Sequence, residues 1–324
     1  MLETETVLDR RRLRRSVSFW RAAGIAGLAL AIGALSFGGD KLDALSGKKQ
    51  IARIAIDGMI SEDRDQLKML KEIADAENVS GVLLYINSPG GTTTGGEALY
   101  EGLRELSKKK PLVAQFGTVA ASAGYIVGLA TDHIVARGNT ITGSVGVIVQ
   151  WPEFVQLLDK FGVKVNEVKS GPLKASPSPF EPLTEGGRKV TEGMVADGFK
   201  WFLGLVETRR GIKPAEVQGL VDGRIFSGRE ALAAKLVDQI GGEDEAVAWL
   251  KDVKKIDKDA KVVDWKPKSS ESRFGLGLGS LTSRAIGAVF GADAGQLANR
   301  LINSGSFSTL GLDGLLSVWH PSEK

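Results

Sequence analysis

The run GVLLYI at residues 81–86 constrains the fold more than any other part of the chain. A strand shows alternate residues to opposite faces, so a continuous apolar run buries both, as an interior strand of a parallel sheet does. The pattern turns helical on either side of it. Leu67, Leu70, Ile73 and Ala74 recur at helical spacing within residues 63–76, and residues 94–106 form a second amphipathic segment. The folded part opens at Ile51 with IARIAIDG, which suits a strand. Further strands are expected at 111–116, 133–137 and 164–169, with a helix ending near 130 and others at 154–158, 184–210, 213–221 and 228–238. Strands and helices that alternate in this way predict an α/β fold with a parallel sheet and right-handed crossovers.

Ser122 lies where a β-rich run (PLVAQF) gives way to an apolar, small-residue helix, within GTVAASAGY at 117–125. A serine at that junction has two readings. It is a nucleophile with N–H groups nearby to stabilise negative charge, or it caps the helix. A second junction follows the GVLLYI strand at Asn87-Ser-Pro-Gly-Gly91. Paired glycines there either let backbone approach a substrate, as an oxyanion hole requires, or make a plain β-turn. A phosphate loop would need Gly-Lys-Ser/Thr, which is absent.

Composition narrows the chemistry. There is no cysteine and only two histidines, His133 and His320, so a thiol nucleophile and a multi-histidine metal site are excluded. No metal or cofactor is expected. His133 opens a strand at the end of the sheet opposite Ser122 and is read as structural. A base for Ser122 must then be a lysine or a carboxylate. Lys174 stands out in SGPLKASP, among small and apolar residues with prolines close by, whereas most other lysines lie on polar helical faces. A lysine serves as a base near neutral pH only when desolvation lowers its pKa. The stretch Arg224-Ile-Phe-Ser-Gly228 is read as a strand edge with a helix start, or as a substrate contact.

Together LYINSPGG, GTVAASAGY, TGSVGV and KSGPLKASP resemble the signal peptide peptidase A family of serine proteases, on the Clp protease and crotonase superfold. The resemblance covers roughly residues 51–265. It implies a Ser–Lys dyad with Ser122 as nucleophile, Lys174 as general base and Ser144 holding the lysine amine. It also implies an oxyanion hole made by the N–H groups of Gly91 and Ala123. Many relatives have glycine where this chain has Ala123, which keeps the N–H and adds a methyl group. No motif recurs, as in the short, single-repeat form of the family. In longer relatives the lysine and the serine come from different repeats. A single-repeat chain is therefore expected to assemble its site between copies in a homo-oligomeric ring. A crotonase-like acyl-CoA lyase or isomerase, and a catalytically silent membrane scaffold, are the competing readings.

Six arginines and three acidic residues precede residue 22, so the net charge of +3 sits wholly in this segment. No basic face is left for nucleic acid. The apolar run AAGIAGLALAIGALSF follows directly and is read as one transmembrane helix. The expected organisation is a basic cytoplasmic segment (1–21), an anchor (22–38), a linker (39–50), a protease domain (51–265) and a low-complexity extension (266–324). The arginines place the amino end inside a bacterial inner membrane and the catalytic domain on the periplasmic side. Hydrophobic peptides left by export, remnant signal peptides above all, are the expected substrates. A helix is conceivable only at 283–302 in the tail, and residues 311–319 are a candidate for packing on the membrane, a neighbour or the cleft.

Overall fold

The computed structural model describes residues 49–267 and the backbone of Leu316–Val318. The basic segment, the expected membrane span and most of the extension lie outside the described residues. Among the described residues no helix is long and apolar enough to cross a membrane. From Gln50 onward the described residues belong to one compact unit.

Its centre is a largely parallel sheet in the order β6 (Ile225–Ser227), β5 (Ile141–Gly143), β3 (Leu112–Ala121), β2 (Val79–Thr92), β1 (Gln50–Ile60), β8 (Lys261–Trp265). The middle is made by β1 (Gln50–Ile60), β2 (Val79–Thr92) and β3 (Leu112–Ala121), joined by helices α1 (Arg64–Asp75) and α2 (Thr93–Ser107). Ile54 pairs with Leu84 and Leu84 with Ala114, all fully buried, as the unalternating GVLLYI run requires. The expected crossover helices form with caps written in the sequence. Asp63 accepts from the N–H groups of Asp65 and Gln66, and Thr92 accepts from that of Gly95. Met69, Leu70 and Ile73 of α1 and Leu99, Leu103 and Leu106 of α2 face the sheet.

Beyond β3 come α3 (Ala123–Leu129), β4 (His133–Ala136), β5 (Ile141–Gly143), α4 (Val155–Lys160) and α5 (Glu185–Arg210). A short 3-10 turn, β6 (Ile225–Ser227), α6 (Gly228–Ala233), β7 (Gln239–Ile240), α7 (Glu243–Asp252) and β8 (Lys261–Trp265) follow. His133 stacks on Trp249 at 4.8 Å and bonds to Gln239, in keeping with a structural role. The 224–228 stretch is strand β6 followed directly by α6, whose N-terminus is closed by a Ser227–Glu230 capping box.

Four expectations need correction. The strand expected at 164–169 does not form. The segment has no neighbouring strand to pair with, and Val163, Val165 and Val168 are exposed. The helix at 213–221 shrinks to Pro214–Glu216, because Val217 at φ −95° and ψ 114° is already extended. The helix at 228–238 ends at Ala233. The paired glycines do not end the strand in a β-turn: β2 continues through Pro89, Gly90 (φ 119°) and Gly91 to Thr92. The tail also holds a strand, β9 (Leu316–Val318), which is antiparallel to β2.

Candidate active site

Strand β3 ends at Ala121 and helix α3 starts at Ala123, so Ser122 alone makes the bend. Its backbone lies at φ 56° and ψ −120°, a region that side chains avoid, at a cost of about 1–3 kcal/mol. A capping serine sits in extended backbone and accepts from the first turn, whereas Ser122 makes no side-chain capping bond. The capping reading is therefore set aside. The bend is held from both sides: the Ser122 N–H donates to the Gly143 carbonyl at 2.9 Å, and the Ser122 carbonyl accepts from Ile126 at 3.0 Å.

The helix behind it is anchored at its far end. Carbonyls of Leu129 and Thr131 accept from Arg209, and that of Ala130 accepts from Arg104. These cations meet the negative end of α3, although burial and then the neighbouring Arg104 lower the Arg209 pKa. The buried Tyr125 hydroxyl donates to Leu236 at 2.8 Å, and burial pushes its pKa up. Such fixings keep the strained residue from relaxing.

Ser144 stands beside Ser122. Strands β3 and β5 run parallel with Ala121 opposite Gly143, so the two serines directly follow paired strand ends. Ser144 too has a left-handed backbone, φ 51°, and its N–H donates to the Arg224 carbonyl at 3.0 Å. The third wall is the Pro89-Gly-Gly segment of β2. A methyl group on Gly91 would lie 1.8 Å from the Ile60 carbonyl oxygen, and one on Gly124 would lie 2.8 Å from that of Ser88. Only glycine lets β2 approach both β1 and the start of α3 this closely. Ala123 is the first residue of α3, where a helix has no internal acceptor for its N–H.

Ser88 is the residue that sequence reasoning passed over. It is fully buried, its hydroxyl accepts from the Gly90 N–H at 3.1 Å and donates to the Gly90 carbonyl at 3.2 Å. It thereby sets the course of the chain into Gly91. The Ser-Pro-Gly-Gly wording held the signal, since a serine two residues before a glycine can make this local turn. Ser88→Ala is expected to cost about 1–2 kcal/mol of stability. As a positioning residue it should also lower kcat about tenfold with little change in KM. An unchanged kcat in a folded variant would remove it from that role.

Lys174 is placed differently. It lies on a small loop whose stem is closed by the Lys169–Glu181 ion pair and by the Phe154 N–H donating to the Pro179 carbonyl. Hydrogen bonds to Glu181 and then Glu167 hold the Lys169 pKa up. Lys174 itself is exposed, and no hydrogen bond or ion pair joins it to Ser122 or Ser144. Within one chain, then, Ser122 and Ser144 follow paired strand ends, Ala123 adjoins Ser122, and the start of α3 at Gly124 lies against Ser88 of the Ser-Pro-Gly-Gly segment, whereas Lys174 is left in solvent. Among the described residues no cluster of histidines and carboxylates could hold a metal ion.

Such a site suits acyl transfer: a buried serine on a strained bend, flanked by backbone N–H groups and a second hydroxyl. Comparison with known proteins agrees. The family model for Peptidase family S49 matches residues 104–257, and that for Clp protease matches residues 51–138. The chain is 35% identical to a candidate protease of Synechocystis sp., over 68% of this chain and 79% of that one. It is 34% identical to a candidate signal peptide peptidase of Enterococcus faecium, over 70% of each chain. It is also 29% identical to a candidate protease of Methanocaldococcus jannaschii, over 79% of this chain and 87% of the relative.

Proposed function

We propose, from the premise that this chain belongs to peptidase family S49 and is a serine peptidase, that it is a membrane-anchored endopeptidase whose site is completed between copies. The observation that carries the chemistry is the strained bend at Ser122 beside Gly91 and Ser144. Ser122 Oγ attacks the scissile carbonyl and passes its proton to the neutral Lys174 amine, which Ser144 orients. The N–H groups of Gly91 and Ala123 take the oxyanion. The lysine ammonium then protonates the leaving amine, and water, deprotonated by the same lysine, releases the acyl group from the serine.

In a single chain Lys174 is exposed and bonds to neither serine, so one chain alone does not assemble the pair. A neighbouring copy brings a lysine to the serine. Eleven of the sixteen exposed large hydrophobic side chains among the described residues fall between Ile148 and Met194, the region that carries Lys174. Apolar surface of that density is suited to burial against a second copy. An apolar groove also opens just after Ser144, lined by Val147, Ile148, Trp151, Val195 and Phe199. These features support a ring in which one copy's lysine meets the next copy's serine.

The substrates we infer are extended hydrophobic peptides, remnant signal peptides among them, met at the outer face of a bacterial inner membrane. Support comes from the arginine block before the apolar run at 22–37, and from a site set on strand edges that accept only extended backbone. The test is a serine-reactive acylating probe on the full chain, followed by mass spectrometry. Ser122 should carry the label, and synthetic signal peptides should protect it. A label on a different serine would overturn the assignment, and an unlabelled enzyme would return the crotonase-like and scaffold readings.

A further inference from the structure

The two serines of the site are carried by one short piece of sheet. Strand β3 follows β2 as far as Ser88, which pairs with Ala120, while its last residues, Val119–Ala121, pair with Ile141–Gly143 of β5 on the other side. Past that point β2 runs on to Thr92 and β3 has ended, so the sheet splits. Ser122 and Ser144 directly follow the β3–β5 pairing, each on a left-handed residue, φ 56° and φ 51°. Their mutual position is therefore set by the register of three residue pairs, and a parallel ladder that short is weak by itself.

At the middle pair stands Thr142, fully buried, with its hydroxyl donating to the Ala120 carbonyl at 2.7 Å. Ala120 lies two residues before Ser122 and Thr142 two residues before Ser144, so the bond ties both strands at the same remove from their serines. Shape does not account for the residue. Valine has the same branched outline, suits a strand as well and brings no hydroxyl to desolvate. The residues paired with Thr142, Ala120 on β3 and Phe226 on β6, are apolar and buried. We infer that Thr142 is a positioning residue for the peptidase reaction, fixing through Ala120 the register between Ser122 and Ser144. The inference rests on the reading of Ser122 as nucleophile and Ser144 as the hydroxyl that orients the lysine. Thr140 supplies the contrast: its hydroxyl donates to the Gly117 carbonyl at 2.7 Å and accepts from the Arg137 N–H, but it precedes the three-pair ladder. It fastens the approach of the strand and leaves the serines to Thr142.

The test measures kcat, KM and thermal unfolding of the full chain with an extended apolar fluorogenic peptide. Thr142→Val, which keeps the shape and loses the donor, should lower kcat about tenfold with KM changed by less than about twofold. Thr142→Ser keeps the donor and leaves a methyl-sized gap, so it should hold kcat within about twofold although it melts below the wild type. Thr140→Val should lose stability and keep kcat within about twofold. In a Ser144→Ala background the cost of Thr142→Val should shrink to about twofold, because the hydroxyl that it aligns is gone. A kcat that follows stability across the variants, or an equal cost with and without Ser144, overturns the inference. If Thr142→Val does not fold, Thr142→Ala against Thr142→Ser makes the same comparison, since both leave a gap and they differ in the hydroxyl. Amide exchange reads the ladder without turnover. The Ser122 N–H, bonded to the Gly143 carbonyl, should exchange about tenfold faster in Thr142→Val than in Thr142→Ser, and equal rates overturn the inference as well. A wild-type chain that neither hydrolyses peptide nor takes label at Ser122 would sink the peptidase reading instead, and the exchange would still decide whether Thr142 holds the ladder.

Discussion

Ser122→Ala is expected to lower peptide hydrolysis by about ten-thousandfold or more while leaving the fold intact, and Lys174→Ala should match it. A nucleophile and its base act as a unit, so removing either costs nearly as much as removing both. The backbone at Ser122 adds a sharper expectation. At φ 56° and ψ −120° alanine is as strained as serine, whereas glycine is not. Ser122→Gly should therefore be equally dead yet about 1 kcal/mol more stable than Ser122→Ala by denaturant unfolding. Equal stabilities would mean that the bend stores no strain. The pH profile separates the base from the nucleophile. A lysine base works only when neutral, so kcat/KM should fall about tenfold per pH unit on the acid side of its pKa. A profile flat from about pH 6 to 9 would remove lysine from the role.

The parts of this fold that showed in the sequence are those fixed by local periodicity and local capping. GVLLYI gave a two-sided buried strand, and Asp63 and Thr92 marked where helices begin, because both signals depend on neighbours along the chain. Ser122 was legible as a change of period. Its left-handed backbone was not, since that conformation is imposed by β5 through the Gly143 carbonyl and by the arginines behind α3. Residues 164–169 show the reverse failure: Val165 and Val168 suit a strand by residue type, but a strand needs an edge to join, and none reaches them. Ser88 escaped notice because a buried hydroxyl within a turn-like sequence has no period at all. The same holds for β9, three residues in a tail rich in Gly, Ser and Leu, whose pairing depends on a split far away in the sheet.

Two dead variants should make a live enzyme. Ser122→Ala keeps its lysine and Lys174→Ala keeps its serine, so neither homo-oligomer has a complete site. If each site takes its serine from one copy and its lysine from the next, an equimolar mixture that is dissociated and reassembled at random holds both at about one interface in four. Activity should recover to about a quarter of the wild-type rate, because intact sites work independently of their dead neighbours. Mixing without dissociation should give nothing until subunits exchange, and the double variant Ser122→Ala/Lys174→Ala should never complement. The placement of Lys174 makes this the decisive experiment, for in a single chain the lysine is exposed and joined to neither serine while Ser122 is buried just after the end of β3. Should the loop at 170–180 instead fold back onto its own chain's serine, every mixed site would still lack one partner and the reassembled mixture would stay inactive.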